Sequence, residues 1–169
     1  MKKYCVLFSG PIGSGKTPIA NYLSYKFDLP VFNNDSVRIE VMEDRLERDE
    51  KEYELRRSSR VNEIIESGIG FIYDTSIDRR WKQYQQMIKD SGYLFFIVSI
   101  DLSTQKLKEL HKAKGYTDDG SLDRTIHEHQ LFLDEFDDVV SVHINDEEFG
   151  NRMEIVSSAL TEFINNNVA

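Results

Sequence analysis

The chain has 169 residues and a mass of 19.7 kDa, which predicts one compact domain over 1–169 and excludes a second full domain. Forty per cent of the residues are apolar, 11% aromatic and 30% charged, a balance that excludes a disordered chain. Thirty acidic against 21 basic side chains give a formal charge of -9, which disfavours non-specific adhesion to nucleic acid or to an anionic membrane.

The chain opens with Met1-Lys2-Lys3 and the apolar run 4–8, which ends at Ser9-Gly10, too short for the apolar region of a signal peptide. No stretch approaches the roughly 20 apolar residues of a membrane span. The single cysteine, Cys5, falls in that first run and has no partner for an internal disulfide, so a cytoplasmic setting and a buried, inert thiol are expected.

Residues 4–8 read as a strand covered on both faces. After a glycine-rich turn, Ile19, Tyr22, Leu23 and Phe27 recur at helical spacing, and Leu29-Pro30 closes that helix before a short strand at 31–32. Residues 35–67 are dense in both charges and read as solvated helices, with Val61, Ile64 and Ile65 as an apolar stripe ending at Gly68. A third strand is expected at 70–73, closed by Asp74-Thr75-Ser76, and Trp81, Tyr84, Met87 and Ile88 mark the next helix. Residues 93–100 form the most apolar strand, and Ser103 caps a helix carrying Leu107 and Leu110. The polar stretch 111–121, with two glycines, reads as a mobile loop and the lid segment as about 111–124. Another helix carries Ile126, Leu133 and Phe136, a last strand is expected at 139–144 and a last helix at 153–165. Strands alternating with helices predict an α/β fold with a mostly parallel five-stranded sheet between helical layers.

Chemistry enters at Gly10-Pro11-Ile12-Gly13-Ser14-Gly15-Lys16-Thr17, which fits G-x-x-x-x-G-K-[ST] in full between a strand and a helix. Such a loop turns successive N–H groups toward phosphates, with Lys16 reaching the β- and γ-phosphates and the Thr17 hydroxyl offered to Mg²⁺. Pro18, next in line, has no N–H to give. A switch GTPase would need an Asn/Thr-Lys-x-Asp guanine reader, and the chain has none. A small phosphotransferase is left, and Mg²⁺ arriving with the nucleotide is the metal expected.

Two further motifs follow in order: Asn34-Asp35-Ser36-Val37-Arg38 just past the second strand, and Phe71-Ile72-Tyr73-Asp74-Thr75-Ser76 with Arg79-Arg80 behind it. With the phosphate loop, they make the first 115 or so residues resemble the P-loop kinases of the polynucleotide-kinase and zeta-toxin type. The resemblance implies a three-layer fold with strand order 2-3-1-4-5 and transfer of the ATP γ-phosphoryl group. It implies that Asp35 is the base for the acceptor hydroxyl, that Arg38 holds acceptor or transition-state oxygens, and that Asp74 orients Mg²⁺ through water. Thr75 and Arg79 are implied acceptor contacts, although Asp35, Thr75, Ser76 and Asp78 are also residue types that cap helices.

The family also brings an arginine from the lid, whereas no arginine occurs here between Arg80 and Arg124. Lys112, Lys114 and Arg124 are the substitutes by position. His127 and His129, two apart on a helix, make a poor metal pair, and His111 and His143 have no evident partner. The run Arg56-Arg57-Ser58-Ser59-Arg60 reads as a surface helix face before an anion site. A small-molecule acceptor (nucleoside, nucleotide, sugar or antibiotic) fits the acidic composition best. A polynucleotide 5′-hydroxyl kinase and an ATP-binding regulatory module are the alternatives.

Overall fold

A computed structural model describes residues 3–168. In chain order the elements are β1 (Lys3–Ser9), α1 (Lys16–Phe27), β2 (Val31–Asn33), α2 (Asn34–Arg45), α3 (Glu50–Ser67) and β3 (Phe71–Ser76). After a 3-10 turn at Asp78–Arg80 come α4 (Trp81–Asp90), β4 (Tyr93–Ile100), α5 (Thr104–Ala113), α6 (Asp119–Phe136), β5 (Val142–Ile144) and α7 (Arg152–Asn167). All strand pairings are parallel, in the order β2-β3-β1-β4-β5, so the chain has the three-layer P-loop nucleoside triphosphate hydrolase fold.

Strand alternation builds the layers. Cys5 and Leu7 of β1 point to one face with Tyr73 of β3 and Ile97 of β4, where they meet Val37, Val61, Trp81 and Ile88 of α2, α3 and α4. Val6 and Phe8 point to the other face with Ile72 and Val98, against Ile19 and Leu23 of α1, Leu107 of α5 and Leu160 of α7. Both faces of β1 are therefore buried, which is why its sequence is apolar from Tyr4 to Phe8 rather than alternating. Cys5 is fully buried and its Sγ donates to the Leu94 carbonyl.

Three expectations need correction. The stretch 111–121 is mostly helical: α5 continues through Ala113 and α6 starts at Asp119, leaving only residues 114–118 between them. Leu107 and His111 share one face of α5, His111 is 4% exposed, and its ring packs on Tyr116, so the stripe continues in a residue that polarity alone does not flag. The last strand is shorter than expected, because Asp137–Val139 forms a 3-10 turn and pairing with β4 starts at Val142. β3 is longer, reaching Ser76, and carries a bulge: Tyr73 faces Leu7, but Phe8 faces Ser76, so Asp74 and Thr75 have no partner on β1. Such bulges re-aim side chains next to sites. No helix among the described residues is long and apolar enough to cross a membrane.

Candidate active site

Strand order reverses at β1, and in open parallel sheets ligands bind beyond the carboxyl ends of the strands at such a point. A cavity of about 360 Å³ opens there, lined by the loop that joins β1 to α1 and by Asp35, Asp74 and Lys114 among others. The loop backbone needs its glycines: Gly10 has φ +139° and Gly13 φ +76°, and a Cβ on Gly10 would lie 3.1 Å from Ser14 Oγ and 3.2 Å from Ile100. The first turn of α1 lines the cavity, and the leading N–H groups of a helix have no partner within it. Pro18 stands third in that helix, where the missing N–H breaks no helical bond.

Lys16 Nζ donates to the carbonyls of Gly10 at 2.8 Å and Pro11 at 2.6 Å, folding back over the loop. Burial lowers its pKa to about 8, with Asp78 and Asp74 offsetting part of the effect and Lys114 adding to it. Phosphate oxygens in that cavity would favour the ammonium. ATP affinity is therefore expected to hold below pH 8 and to weaken by up to about tenfold per pH unit above it, because binding must then take up a proton. Calorimetric titration of Mg-ATP at pH 7, 8.5 and 9.5 checks this, with Lys16→Met expected to give a flat profile.

Thr17 Oγ1 donates to Asp74 Oδ1 at 3.3 Å, and Asn33 Nδ2 donates to Asp74 Oδ2 at 2.7 Å. Burial raises the Asp74 pKa, and the bonds from Thr17 and Asn33 together with Lys16 work against that rise. A hydroxyl and a carboxylate side by side at the lip of a phosphate cradle form the oxygen donor set that Mg²⁺ prefers, so these residues fit the ion.

Asp35 lies in the first turn of α2, but it does not cap that helix. Asn33 does, accepting from the N–H groups of Asp35 at 2.7 Å and Ser36 at 3.3 Å. The Asp35 carboxylate is thereby left without a hydrogen bond among the described residues, at the boundary between the phosphate cavity and a second cavity of about 200 Å³. Asn34, Thr75, Ser76 and Arg79 also line both, and Thr75 Oγ1 accepts from Asn34 Nδ2 at 3.2 Å. Arg38 lies over the Tyr53 ring at 4.5 Å and lines the second cavity but not the first.

Of the basic lid candidates, the structure brings one to the loop: Lys114 Nζ donates to the Gly13 carbonyl at 3.0 Å. Lys112 is exposed and lines neither cavity. Arg124 also stays outside, 3.9 Å from Glu128, because it lies one helical turn before that carboxylate on α6.

A further group of residues meets in a way that the sequence does not mark. Asp78 accepts from Ser9 Oγ at 2.6 Å and from the Gly10 N–H at 3.2 Å, and lies 3.3 Å from His129 Nδ1. His129 Nε2 lies 2.9 Å from Asp101, whose other oxygen lies 2.5 Å from His143 Nδ1. His129 and His143 thus have partners after all, supplied by β3 and β4 ends distant in the sequence rather than by a neighbour on their own element. Burial alone would lower the His129 pKa, but Asp101 and Asp78 outweigh it and hold it at about 9. Burial likewise pushes Asp78 and Asp101 up, and their bonds to His129 and the serines bring both below the ordinary carboxylate value. Asp101 directly follows the apolar strand β4, as Asp74 follows the apolar part of β3, and that position was the available signal.

Because the His129 pKa is raised on folding, its contribution is complete below about 6.5 and is lost as the pH rises through about 9. His129→Gln is expected to destabilise the protein by about 3 kcal/mol at pH 6, because it removes the cation shared by Asp78 and Asp101 and leaves them only their bonds to Ser9, Gly10, Ser99 and His143. Chemical denaturation of both proteins at pH 6 and pH 9.5 should show the gap shrinking at the higher pH.

No protein-family model matches the sequence, and a search of curated proteins gives no match. Solved structures do match. A gluconokinase from Sinorhizobium meliloti 1021 superposes with a TM-score of 0.68 at 16% identity, over 96% of this chain and 94% of that one. A tunicamycin resistance protein of Deinococcus radiodurans gives 0.63 at 16% identity, over 96% of both chains. A shikimate kinase from Bacteroides thetaiotaomicron gives 0.57 at 17% identity, over 96% of this chain and 98% of that one. The chain thus shares its fold with small P-loop kinases, and these likenesses do not single out the polynucleotide-kinase and zeta-toxin branch.

Proposed function

We propose that the chain is an ATP-dependent kinase that phosphorylates a small-molecule acceptor. The observation that carries this reading is the position of Asp35, an uncommitted carboxylate where the phosphate cavity and the second cavity meet. ATP occupies the first cavity with its β- and γ-phosphates on the loop N–H groups and Lys16. The acceptor occupies the second with one hydroxyl at Asp35. That hydroxyl gives its proton to the Asp35 carboxylate while its oxygen bonds to the γ-phosphorus. The bond from the γ-phosphorus to the bridging oxygen breaks, and ADP leaves with the electron pair. Thr17 and Asp74 would hold Mg²⁺, which supplies charge neutralisation at the β- and γ-phosphates.

Lys114 takes the place of the family's lid arginine in this proposal, since it is already bonded to the loop at Gly13. Arg79 stands on the acceptor side with Thr75 and Arg38. The spacing Asp35-x-x-Arg38 and the run ending in Asp74-x-Ser76 favour the polynucleotide-kinase and zeta-toxin branch within the fold. A single domain, and a cytoplasmic setting for a chain whose only cysteine is a buried thiol, complete the reading.

One observation favours an ATP-binding regulatory module instead: no arginine stands between Arg80 and Arg124 to cover the transferring group. ADP release with Mg-ATP separates the readings, measured with nucleosides, nucleoside monophosphates, sugars, sugar acids, aminoglycoside- and amphenicol-type antibiotics and 5′-hydroxyl oligonucleotides. A kinase shows acceptor-stimulated turnover, and a module binds ATP without it. Stimulation by oligonucleotides that falls steeply with added salt would instead mark a nucleic-acid acceptor.

A further inference from the structure

The second cavity gathers more arginines than carboxylates. Four arginines line it, Arg38, Arg57, Arg79 and Arg80, against the carboxylates Asp35 and Glu54. Elsewhere on the same helices arginines are neutralised: Arg45 pairs with Glu52 at 3.2 Å, Arg56 with Asp44 and Glu52 at 2.5 and 2.8 Å, and Arg60 with Glu40. Inside the cavity Glu54 is taken up by Arg57 at 2.8 Å, and Arg79 lies 3.5 Å from Glu128. Arg38 and Arg80 have no carboxylate within 4.0 Å among the described residues. Guanidinium groups left unpaired around one cavity, in a chain with nine more acidic than basic residues, repel each other until an anion joins them.

The arginines are also held in place. Arg57 is anchored by two bonds to Glu54 and by Tyr73 Oη at 3.4 Å, with its side chain 13% exposed. Arg38 has its guanidinium 4.5 Å from the Tyr53 ring centroid, a cation–π contact. The two aromatic rings at the wall are themselves covered, Tyr53 by Arg38 and Tyr84 by its edge contact with Tyr73, so no bare ring face is left on which a nucleobase would stack. At about 200 Å³ the cavity is smaller than the roughly 300–1,000 Å³ of drug-sized pockets.

Resting on the kinase reading above, we infer that the acceptor is a sugar-sized polyhydroxylated anion, bearing one carboxylate or phosphate. The anionic group binds between Arg38 and Arg80, with Arg57 behind, while a hydroxyl at the other end of the molecule lies at Asp35. Planar guanidinium groups pair with either oxyanion in bidentate fashion, which fixes the orientation that presents the hydroxyl to the γ-phosphate.

The test splits a bacterial small-molecule extract, cleared of nucleotides on charcoal, into the pool retained by an anion exchanger and the neutral flow-through, and measures ADP release with each. Gluconate and glucose 6-phosphate are run beside glucose to separate the carboxylate from the phosphate source. The retained pool is expected to stimulate ADP release at least tenfold more than the flow-through. With the active anion, Arg80→Gln is expected to raise the acceptor KM tenfold or more with the ATP KM unchanged, and Arg80→Lys to recover part of that loss. Arg80 is exposed, so the variant tests binding rather than folding. Equal or greater stimulation by the flow-through overturns the anionic acceptor and leaves the kinase standing. Stimulation by neither pool, with ATP still bound, overturns the inference, and the kinase reading falls with it when none of the acceptors named above stimulates turnover either.

Discussion

Asp35→Asn is expected to lower acceptor-dependent kcat by about 10²- to 10⁴-fold, the range for removal of a positioned general base. Asparagine keeps the size and the hydrogen-bonding reach but cannot take the acceptor's proton. Because Asn33 and not Asp35 caps α2, the substitution removes no structural bond, and the melting temperature is expected to stay within a degree or two of wild type. The KM for ATP should also stay unchanged, since Asp35 is no part of the phosphate loop. A large fall in stability, or a fall in ATP affinity equal to the fall in rate, would show that Asp35 is a structural residue.

Lys16→Ala is expected to lower kcat/KM for ATP by about 10²- to 10³-fold or more, as removal of one donor from a site that stabilises developing charge does. The ammonium bonds to the Gly10 and Pro11 carbonyls, and ATP binding would transfer those bonds to phosphate oxygens. Its lowered pKa means that the folded protein pays for holding this charge out of water. Removing it is therefore expected to leave thermal stability unchanged or to raise it slightly at pH 7. Loss of activity together with a marked loss of stability would place Lys16 in the scaffold.

Elements with a repeating apolar pattern were the most legible in the sequence. β1 and β4 are buried on both faces and read as continuous apolar runs, and the phosphate loop announces itself because its glycines must take conformations other residues avoid. Lys16, Thr17, Asp35 and Asp74 come together as the motif order implies, around one cavity. Contacts between layers were not legible. His129 meets Asp78 and Asp101 across elements that no local spacing relates, and a rule about pairs on one helix passed over it. The arginine run at 56–60 divides by helical geometry: Arg56 and Arg60 face carboxylates at the surface, whereas Arg57 turns into the cavity. Lys114 and Lys112 are two residues apart and differ in the same way, since only the first, at the end of α5, reaches Gly13.

The central claim is transfer of the γ-phosphoryl group to an organic acceptor, and its most direct test follows the phosphorus. The protein is incubated with [γ-³²P]ATP, Mg²⁺ and a small-molecule extract, and the products are separated by chromatography. The account predicts that label leaves ATP for an organic phosphate, that this product is absent without the protein, and that Asp35→Asn suppresses it. Label that stays in ATP, or appears only as inorganic phosphate, would contradict it.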